Sequence, residues 1–186
     1  MLLIRHAQSE WNLHFGRTRI DPGIPDPVLT EEGQAQARAA ARRLAGTRVA
    51  RLICSPYRRC LQTASIIAEQ VGAAIQVDPL VRERCAFSCD QGSAPAELGR
   101  LWPKLSFDHL EETWWGGLIE SQAGIDARAR AFRAREWPDH ERTVIVSHWG
   151  FLRALTGLEV QNSAFVRYDP ASGSASLEAE LPVPAA

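Results

Sequence analysis

The sequence contains little cysteine, and the cysteines it has do not fit a metal site. Four occur among the 186 residues. No two of them form the Cys-x-x-Cys pair that structural zinc sites use, so the sequence predicts no metal site. Reduced thiols are expected in a cytoplasmic protein, although Cys85 and Cys89 are close enough in sequence to pair if oxidised.

Long apolar runs and a strong charge of one sign are also missing. No apolar run approaches the ~20 residues that a membrane-spanning helix needs. A candidate core strand begins at Leu2, which leaves no room for a secretory leader, so we expect a cytoplasmic protein without membrane contact. The formal net charge of −1 argues against a nucleic-acid-binding surface. A few arginines could still form a local anion pocket.

What is present is an alternation of short apolar strands with helices. With 45% hydrophobic and 23% charged residues, the chain is long enough for one globular domain, residues 1–186, around its own core. The predicted strands are 2–5, 51–54, 74–77 and 143–147. The predicted helices run from after Thr30 to about 45, from Pro56 to Gly72, over 121–136 and over 149–155.

The remaining segments are predicted to be loops or an edge hairpin. Residues 7–29 contain three prolines and a glycine between positions 22 and 27, which favours a long loop. Residues 79–119 are irregular and aromatic, with one short helix near 96–101. Two alternating segments, 164–168 and 175–181, predict an antiparallel hairpin at a sheet edge.

This order of elements predicts an α/β fold. We expect a three-layer α/β/α sandwich around a mostly parallel central sheet with an antiparallel edge strand. Right-handed crossovers would bring the carboxyl ends of the parallel strands to one edge, where ligands bind in open α/β sheets.

Several residues with phosphate chemistry fall at that edge. Arg5 and His6 end the first strand, His148 follows the last parallel strand, and Arg58 and Arg59 lie at the start of a helix. Phosphoryl transfer needs a nucleophile, positive charge around the phosphoryl oxygens and an acid for the leaving oxygen. A neutral imidazole is a competent nucleophile, and arginines at a helix N-terminus concentrate anion-binding donors.

Four motifs in matching order resemble the histidine phosphatase superfamily, also called the phosphoglycerate-mutase-like family. Residues 5–12 are similar to the family pattern Arg-His-Gly-x-Ser/Thr-x-x-Asn, and residues 55–64 to Ser-x-x-x-Arg-x-x-x-Thr-Ala. Residues 27–33 resemble its Pro-Leu-Thr-x-x-Gly helix start, and residues 147–150 its late Ser-His-Gly pattern. The resemblance extends from about residue 2 to 157.

The resemblance implies a mechanism without metal or organic cofactor. His6 would attack phosphorus and become a phosphohistidine, which water then hydrolyses. Arg5, Arg59 and His148 would hold the phosphoryl oxygens. Ser9 and Asn12 would be further donors.

The resemblance also implies a proton donor after the third strand. Residues 80–84 match the family's Leu-x-Glu segment, which makes Glu83 the candidate acid, with Asp90 as its rival. The acid must be protonated when the ester binds. Nearby phosphate charge favours that proton, whereas Arg82 and Arg84 oppose it if they point inward.

Some positions depart from the family pattern or leave alternatives open. Ala7 replaces the usual glycine after the nucleophile, and Trp149 replaces a small residue after the second histidine, where it could reshape the substrate entrance. Arg58 is either a second phosphate contact or a solvated helix residue. Trp114 and Trp115 are either core residues or part of the substrate mouth.

The predicted function is hydrolysis of the phosphate monoester group of a small phosphorylated metabolite. One alternative is a phosphoglycerate mutase, although such enzymes of this family are typically longer. The other is a non-catalytic module that binds phosphorylated ligands, against which the intact His6 argues. The sequence names no particular ester and leaves the oligomeric state open.

Overall fold

A six-stranded sheet forms the centre of the molecule. The computed structural model of the chain describes residues 1–117 and 119–178. The strand order is β3-β2-β4-β1-β5-β6. Four strands are parallel, and β5 and β6 continue the sheet with antiparallel pairing. The strands are β1 (Leu2–Arg5), β2 (Arg51–Cys54), β3 (Ile75–Val77), β4 (Thr143–Ser147), β5 (Phe165–Tyr168) and β6 (Ala175–Glu178).

Helices cover both faces of the sheet, which confirms the predicted three-layer α/β/α arrangement. Successive residues of β1 point to opposite faces, so Ile4 packs in the core under α2 and α3. Leu3 packs in the core under α5 and α6. The helices are α1 (Glu10–Thr18), α2 (Glu31–Arg43), α3 (Arg58–Val71), α4 (Pro95–Leu101), α5 (Gln122–Arg133) and α6 (Trp149–Thr156).

The prediction that residues 7–29 form a loop was wrong, because α1 occupies part of that segment. Ser9 caps α1, and its hydroxyl accepts a hydrogen bond from the Asn12 backbone N–H while the Asn12 side chain accepts one from the Ser9 N–H. This reciprocal pair satisfies N–H groups that the first helical turn leaves free. The prolines that suppress helix come only afterwards, from Pro22 to Pro27.

Other boundaries differ by a few residues. Helix α3 begins at Arg58 rather than Pro56, since the Arg58 backbone N–H donates to Asp26 Oδ1 at 2.9 Å from a distant loop. Helices α2 and α5 end two or three residues earlier than predicted. The antiparallel hairpin is confirmed through Glu178, and its predicted continuation over 179–181 lies outside the described residues.

The four cysteines are buried, and within the described part of the chain none of them forms a disulfide. Among the described residues, no helix has the length and apolarity needed to cross a membrane. Within the same residues, no group of three or more histidine, cysteine or acidic side chains could hold a metal ion.

Candidate active site

His6 lies at the centre of the candidate site, one residue after β1. Its backbone N–H donates to the Ser147 carbonyl at 2.9 Å, so β4 fixes its main chain. Its ring Nδ1 lies 2.8 Å from the Ala7 carbonyl oxygen. Because a carbonyl oxygen only accepts, Nδ1 carries the proton and Nε2 keeps a free lone pair. The side chain is therefore oriented as a nucleophile through Nε2.

The electrostatic surroundings keep His6 neutral. Burial lowers the pKa of His6 well below 6.5, and the nearby guanidinium groups of Arg59 and Arg5 lower it further. An imidazolium has no lone pair to attack phosphorus. The depressed pKa therefore keeps the nucleophilic form populated at neutral and mildly acidic pH.

The second predicted histidine lies directly beside the first. The ring centroids of His6 and His148 are 5.1 Å apart. Nε2 of His148 lies 2.8 Å from Ser55 Oγ, whereas its Nδ1 is buried without a hydrogen-bond partner among the described residues. If Ser55 donates to Nε2, Nδ1 carries the proton and can donate it to a phosphoryl oxygen.

Arg59 is a buried cation whose guanidinium is fixed by contacts with the segment around Cys89 and Asp90. Its Nη1 donates to the Cys89 carbonyl at 2.7 Å, and its Nη2 donates to Asp90 Oδ1 at 3.2 Å. The guanidinium also lies over the Tyr57 ring, 4.3 Å from the ring centroid. These contacts fix the plane of the guanidinium in the first turn of α3.

Arg5 supplies a second cation. Its Nη1 donates to the Val160 carbonyl at 2.8 Å, and its Nε is buried with no partner among the described residues. Burial lowers the pKa of Arg5 to about 10, so it remains charged at neutral pH. A buried N–H without an acceptor costs free energy, and a phosphoryl oxygen is an acceptor that would remove this cost.

The Glu83 carboxyl lies at the N-terminus of α6. Its Oε1 accepts from the Arg84 backbone N–H at 2.8 Å, and its Oε2 accepts from the Gly150 N–H at 3.1 Å. A β-carbon at position 150 would collide with Oε1, so the Glu83 carboxyl would have to shift if residue 150 carried a side chain. Burial raises the pKa of Glu83, and the Asp90 carboxylate raises it further, which favours the protonated form that an acid catalyst needs.

Asp90, the rival acid, has a different environment. Its Oδ1 accepts from Arg59, and its Oδ2 accepts from the backbone N–H groups of Ala86 and Phe87 at 3.1 Å each. These hydrogen bonds join the Asp90 carboxyl to the Arg59 guanidinium on one side and to the main chain of residues 86 and 87 on the other. This arrangement suits an anchor for Arg59 better than a proton donor.

Ser9 and Asn12 lie next to the His6 main chain, where they cap α1. Asn162 links this cap to the main chain of His6. Its Nδ2 donates to the His6 carbonyl at 3.0 Å and to Asn12 Oδ1 at 3.2 Å. The hydrogen bonds of Ser9, Asn12 and Asn162 fix the conformation of the loop after β1.

The remaining predicted residues lie around this group. The Nε of Arg58 is buried without a partner among the described residues. The Trp149 ring lies 5.0 Å from the Arg153 guanidinium carbon and lines a groove of about 320 Å³ between α5 and α6. Trp114 is buried edge-on against Tyr57, which supports its interpretation as a core residue, and Trp115 packs partly buried against the same core.

Two residues that support the site were not found from the sequence. Asp26 is buried, adopts a positive φ of 36°, and accepts from the backbone N–H groups of Arg58 and Ser93. Asn162 lies beyond the last motif. Neither belongs to a local pattern, because each acts on a segment far away in the chain.

Comparison with known proteins agrees with this geometry. The model of the histidine phosphatase superfamily (branch 1) matches residues 1–177. The 2,3-bisphosphoglycerate-dependent phosphoglycerate mutase of Methylobacterium sp. (strain 4-46) is 45% identical over 174 residues, covering 83% of this chain and 77% of that protein. Phosphoserine phosphatase 1 of Hydrogenobacter thermophilus is 30% identical over 167 residues, covering 83% of this chain and 73% of that protein.

A solved structure shares the fold. The structure of mycobacterial glucosyl-3-phosphoglycerate phosphatase with VO3 superposes with a TM-score of 0.62 at 24% identity, covering 97% of each chain. The resemblance inferred from the four sequence motifs is thus confirmed: the chain belongs to the histidine phosphatase superfamily, branch 1.

Proposed function

We propose that this protein hydrolyses phosphate monoesters of small metabolites through a phosphohistidine on His6. The observation that supports the proposal is an oriented His6, kept neutral by its depressed pKa, beside three side chains whose N–H groups can donate to an anion. These are Arg5, Arg59 and His148; among the described residues, Arg5 Nε and His148 Nδ1 are buried without a hydrogen-bond partner.

In the first step, His6 Nε2 attacks phosphorus and the bond from phosphorus to the ester oxygen breaks. Glu83 gives its proton to the departing oxygen, so the product leaves as an alcohol. Arg5, Arg59 and His148 stabilise the charge on the three phosphoryl oxygens.

In the second step, water attacks the phosphohistidine. The Glu83 carboxylate takes a proton from that water, the phosphorus–nitrogen bond breaks, and inorganic phosphate is released. The two steps return His6 and Glu83 to their starting forms, and no metal takes part in either.

The substrate is a small phosphorylated metabolite in this proposal. Relatives are named as phosphatases of phosphoserine and of glucosyl-3-phosphoglycerate, both of which are small phosphate esters. The residues around the leaving group decide which ester is preferred, and a panel of metabolites is the direct way to rank them.

A second candidate is phosphoglycerate mutase activity, because the Methylobacterium relative with that name is 45% identical. A mutase would use the same phosphohistidine but return the phosphoryl group to a bound phosphoglycerate. It would therefore isomerise the substrate without net release of phosphate.

One experiment separates these candidates. Wild type and the His6→Ala variant are compared for phosphate release from a panel of metabolite phosphomonoesters with EDTA present, and for isomerisation of 3-phosphoglycerate. Release that needs His6 and ignores EDTA supports the hydrolase. Isomerisation without release supports the mutase, and neither activity would contradict both.

A further inference from the structure

A buried arginine outside the phosphate site holds the segment that carries Glu83. Arg128 lies on α5 and is 9% exposed. Its Nη1 donates to the carbonyl oxygens of Leu80 and Arg82 at 2.9 and 3.0 Å, and its Nη2 donates to the Glu83 carbonyl at 3.3 Å. The Arg128 guanidinium thus binds three backbone carbonyls in the four-residue segment 80–83, which ends at Glu83.

The same guanidinium is fixed on its other side. Its Nε donates to Glu120 Oε1 at 2.7 Å, and its Nη2 donates to Glu120 Oε2 at 2.5 Å. Glu120 Oε1 also accepts from Arg82 Nη2 at 3.4 Å. The Arg128 guanidinium carbon lies 5.5 Å from the Phe151 ring of α6. A planar bidentate pair with a ring beside it has little rotational freedom.

The segment that receives these hydrogen bonds has little regular structure of its own. After a single 3-10 turn at Pro79–Val81, the chain leaves the sheet and runs past the N-terminus of α6 without a helix or strand. The Glu83 carboxyl makes two hydrogen bonds, both to backbone N–H groups. The position of its main chain therefore determines where the acidic proton is delivered.

We propose that Arg128 is a positioning residue for the general acid. By binding the carbonyls of residues 80, 82 and 83 against a fixed Glu120, it holds the Glu83 carboxyl at the distance from the leaving oxygen that proton transfer requires. This inference rests on the proposed function, because it assigns Arg128 a role in that reaction only.

The test is a double-mutant cycle with two substrates. Arg128→Ala, Glu83→Gln and the double variant are assayed on an alkyl phosphate, whose alkoxide leaves only with a proton, and on p-nitrophenyl phosphate, whose phenolate leaves without one. We expect Arg128→Ala to lower kcat/KM on the alkyl ester on the order of 10²-fold, as a misplaced catalytic group does. On the aryl ester the loss in kcat/KM is expected to stay below about threefold, because kcat/KM reports the step in which the ester bond breaks, and there the phenolate leaves without a proton.

Comparing Arg128→Ala with and without Glu83→Gln separates a positioning role of Arg128 from a general loss of stability. In the Glu83→Gln background, Arg128→Ala is expected to cause no further loss on the alkyl ester. An equal loss with and without the Glu83 carboxyl would overturn the inference while leaving the proposed hydrolase intact. A wild type that releases no phosphate from any ester would overturn the proposed function and this inference with it.

A matched control and a milder variant complete the design. Arg133 lies on the same helix and donates to Tyr168 Oη and the Leu155 carbonyl, away from Glu83. Arg133→Ala is expected to change both esters equally or not at all. If Arg128→Ala fails to fold, Arg128→Lys carries the same cycle, because it keeps the charge but not the planar fork. A selective alkyl-ester loss in that variant supports the inference, and its absence overturns it.

Discussion

Two buried carboxyl groups lie a short way apart in the candidate site, and their partners give them different tasks. Glu83 accepts from two backbone N–H groups, and its pKa is raised by burial and by the Asp90 charge. Asp90 accepts from the Arg59 guanidinium and from two backbone N–H groups. The first arrangement favours an acid that keeps its proton, and the second holds the Arg59 guanidinium in place.

The Glu83→Gln substitution removes the acidic proton while keeping the size of the side chain. We expect kcat/KM, which reports cleavage of the ester bond, to fall on the order of 10²–10⁴-fold on alkyl phosphates and to change little on p-nitrophenyl phosphate. In wild type, alkyl-ester activity should decline as pH rises through the raised pKa of Glu83, because the carboxyl then loses its proton. Rate–pH profiles of both proteins check this, and an unchanged alkaline decline in the variant would contradict it.

The Asp90→Asn substitution should affect both classes of ester alike. Asparagine weakens the anchor of Arg59, which in the proposed mechanism stabilises the phosphoryl oxygens whatever the leaving group, so a loss of ~1.5–3 kcal/mol of transition-state stabilisation is expected. The direct comparison is Arg59→Ala, for which we expect a loss on the order of 10²–10³-fold. A loss confined to alkyl esters would instead make Asp90 the proton donor.

The candidate site residues could be named from the sequence, whereas the residues that support them could not. His6, Arg59 and His148 lie in motifs of fixed local spacing, so each can be found from its neighbours in the chain. Asp26 and Arg128 stabilise the site through contacts with segments at least 32 residues away. No local pattern carries such contacts, because they depend on how the elements pack.

At the scale of whole elements, the parallel strands and most helices follow from hydrophobic periodicity, whereas α1 does not. The Ser9–Asn12 pair was a readable helix-start signal, yet the prolines at positions 22–27 led to the whole stretch being interpreted as a loop. Helix α1 begins four residues after His6. Its cap therefore also fixes the loop that holds His6.

The contact between that loop and α2 leaves no room for a side chain. A β-carbon on Gly33 would lie 2.0 Å from the Gln8 carbonyl oxygen, which is a backbone atom and cannot swing aside. We expect Gly33→Ala to lower the free energy of unfolding by ~1–3 kcal/mol, as overpacked sites do. Urea unfolding followed by circular dichroism measures this.

Gly99 provides the control, since it lies inside α4 and a β-carbon there would meet nothing within 4 Å. Gly99→Ala should raise the free energy of unfolding by ~0.5–1 kcal/mol, because alanine loses less backbone entropy in a helix. If both alanine variants shift stability in the same direction, the close approach to Gln8 is not what matters at position 33.

At the scale of the whole molecule, the site joins residues from β1 to the segment after α6, so folding and the charge state of the site are linked. Burial lowers the pKa values of His6 and His148 well below 6.5. In the unfolded chain both histidines take up protons as pH falls through about 6.5, while the folded chain does not. Each therefore makes the protein less stable as pH falls.

Glu83 and Asp26 act in the opposite sense, because their raised pKa values let the folded chain take up protons first. The contribution of His6 to the pH dependence of stability is therefore measured as the difference between wild type and a variant that lacks this histidine. Between about pH 6 and 5, the slope of the unfolding free energy against pH should be shallower in His6→Gln than in wild type by up to ~1.4 kcal/mol per pH unit. Equal slopes would mean that His6 is protonated in the folded protein.

The four buried thiols have a practical consequence. Cys54 and Cys60 lie in β2 and α3, and Cys85 and Cys89 lie in the acid-bearing region between β3 and α4; burial raises the pKa of all four, to about 11 for Cys85. A thiol-alkylating reagent can react with them only while the structure around them is open. The rate at which each cysteine is labelled in the native protein therefore reports the rate of local unfolding around that cysteine. Mass spectrometry of partly labelled protein would then compare how often the structure opens around Cys54 and Cys60 with how often it opens around Cys85 and Cys89.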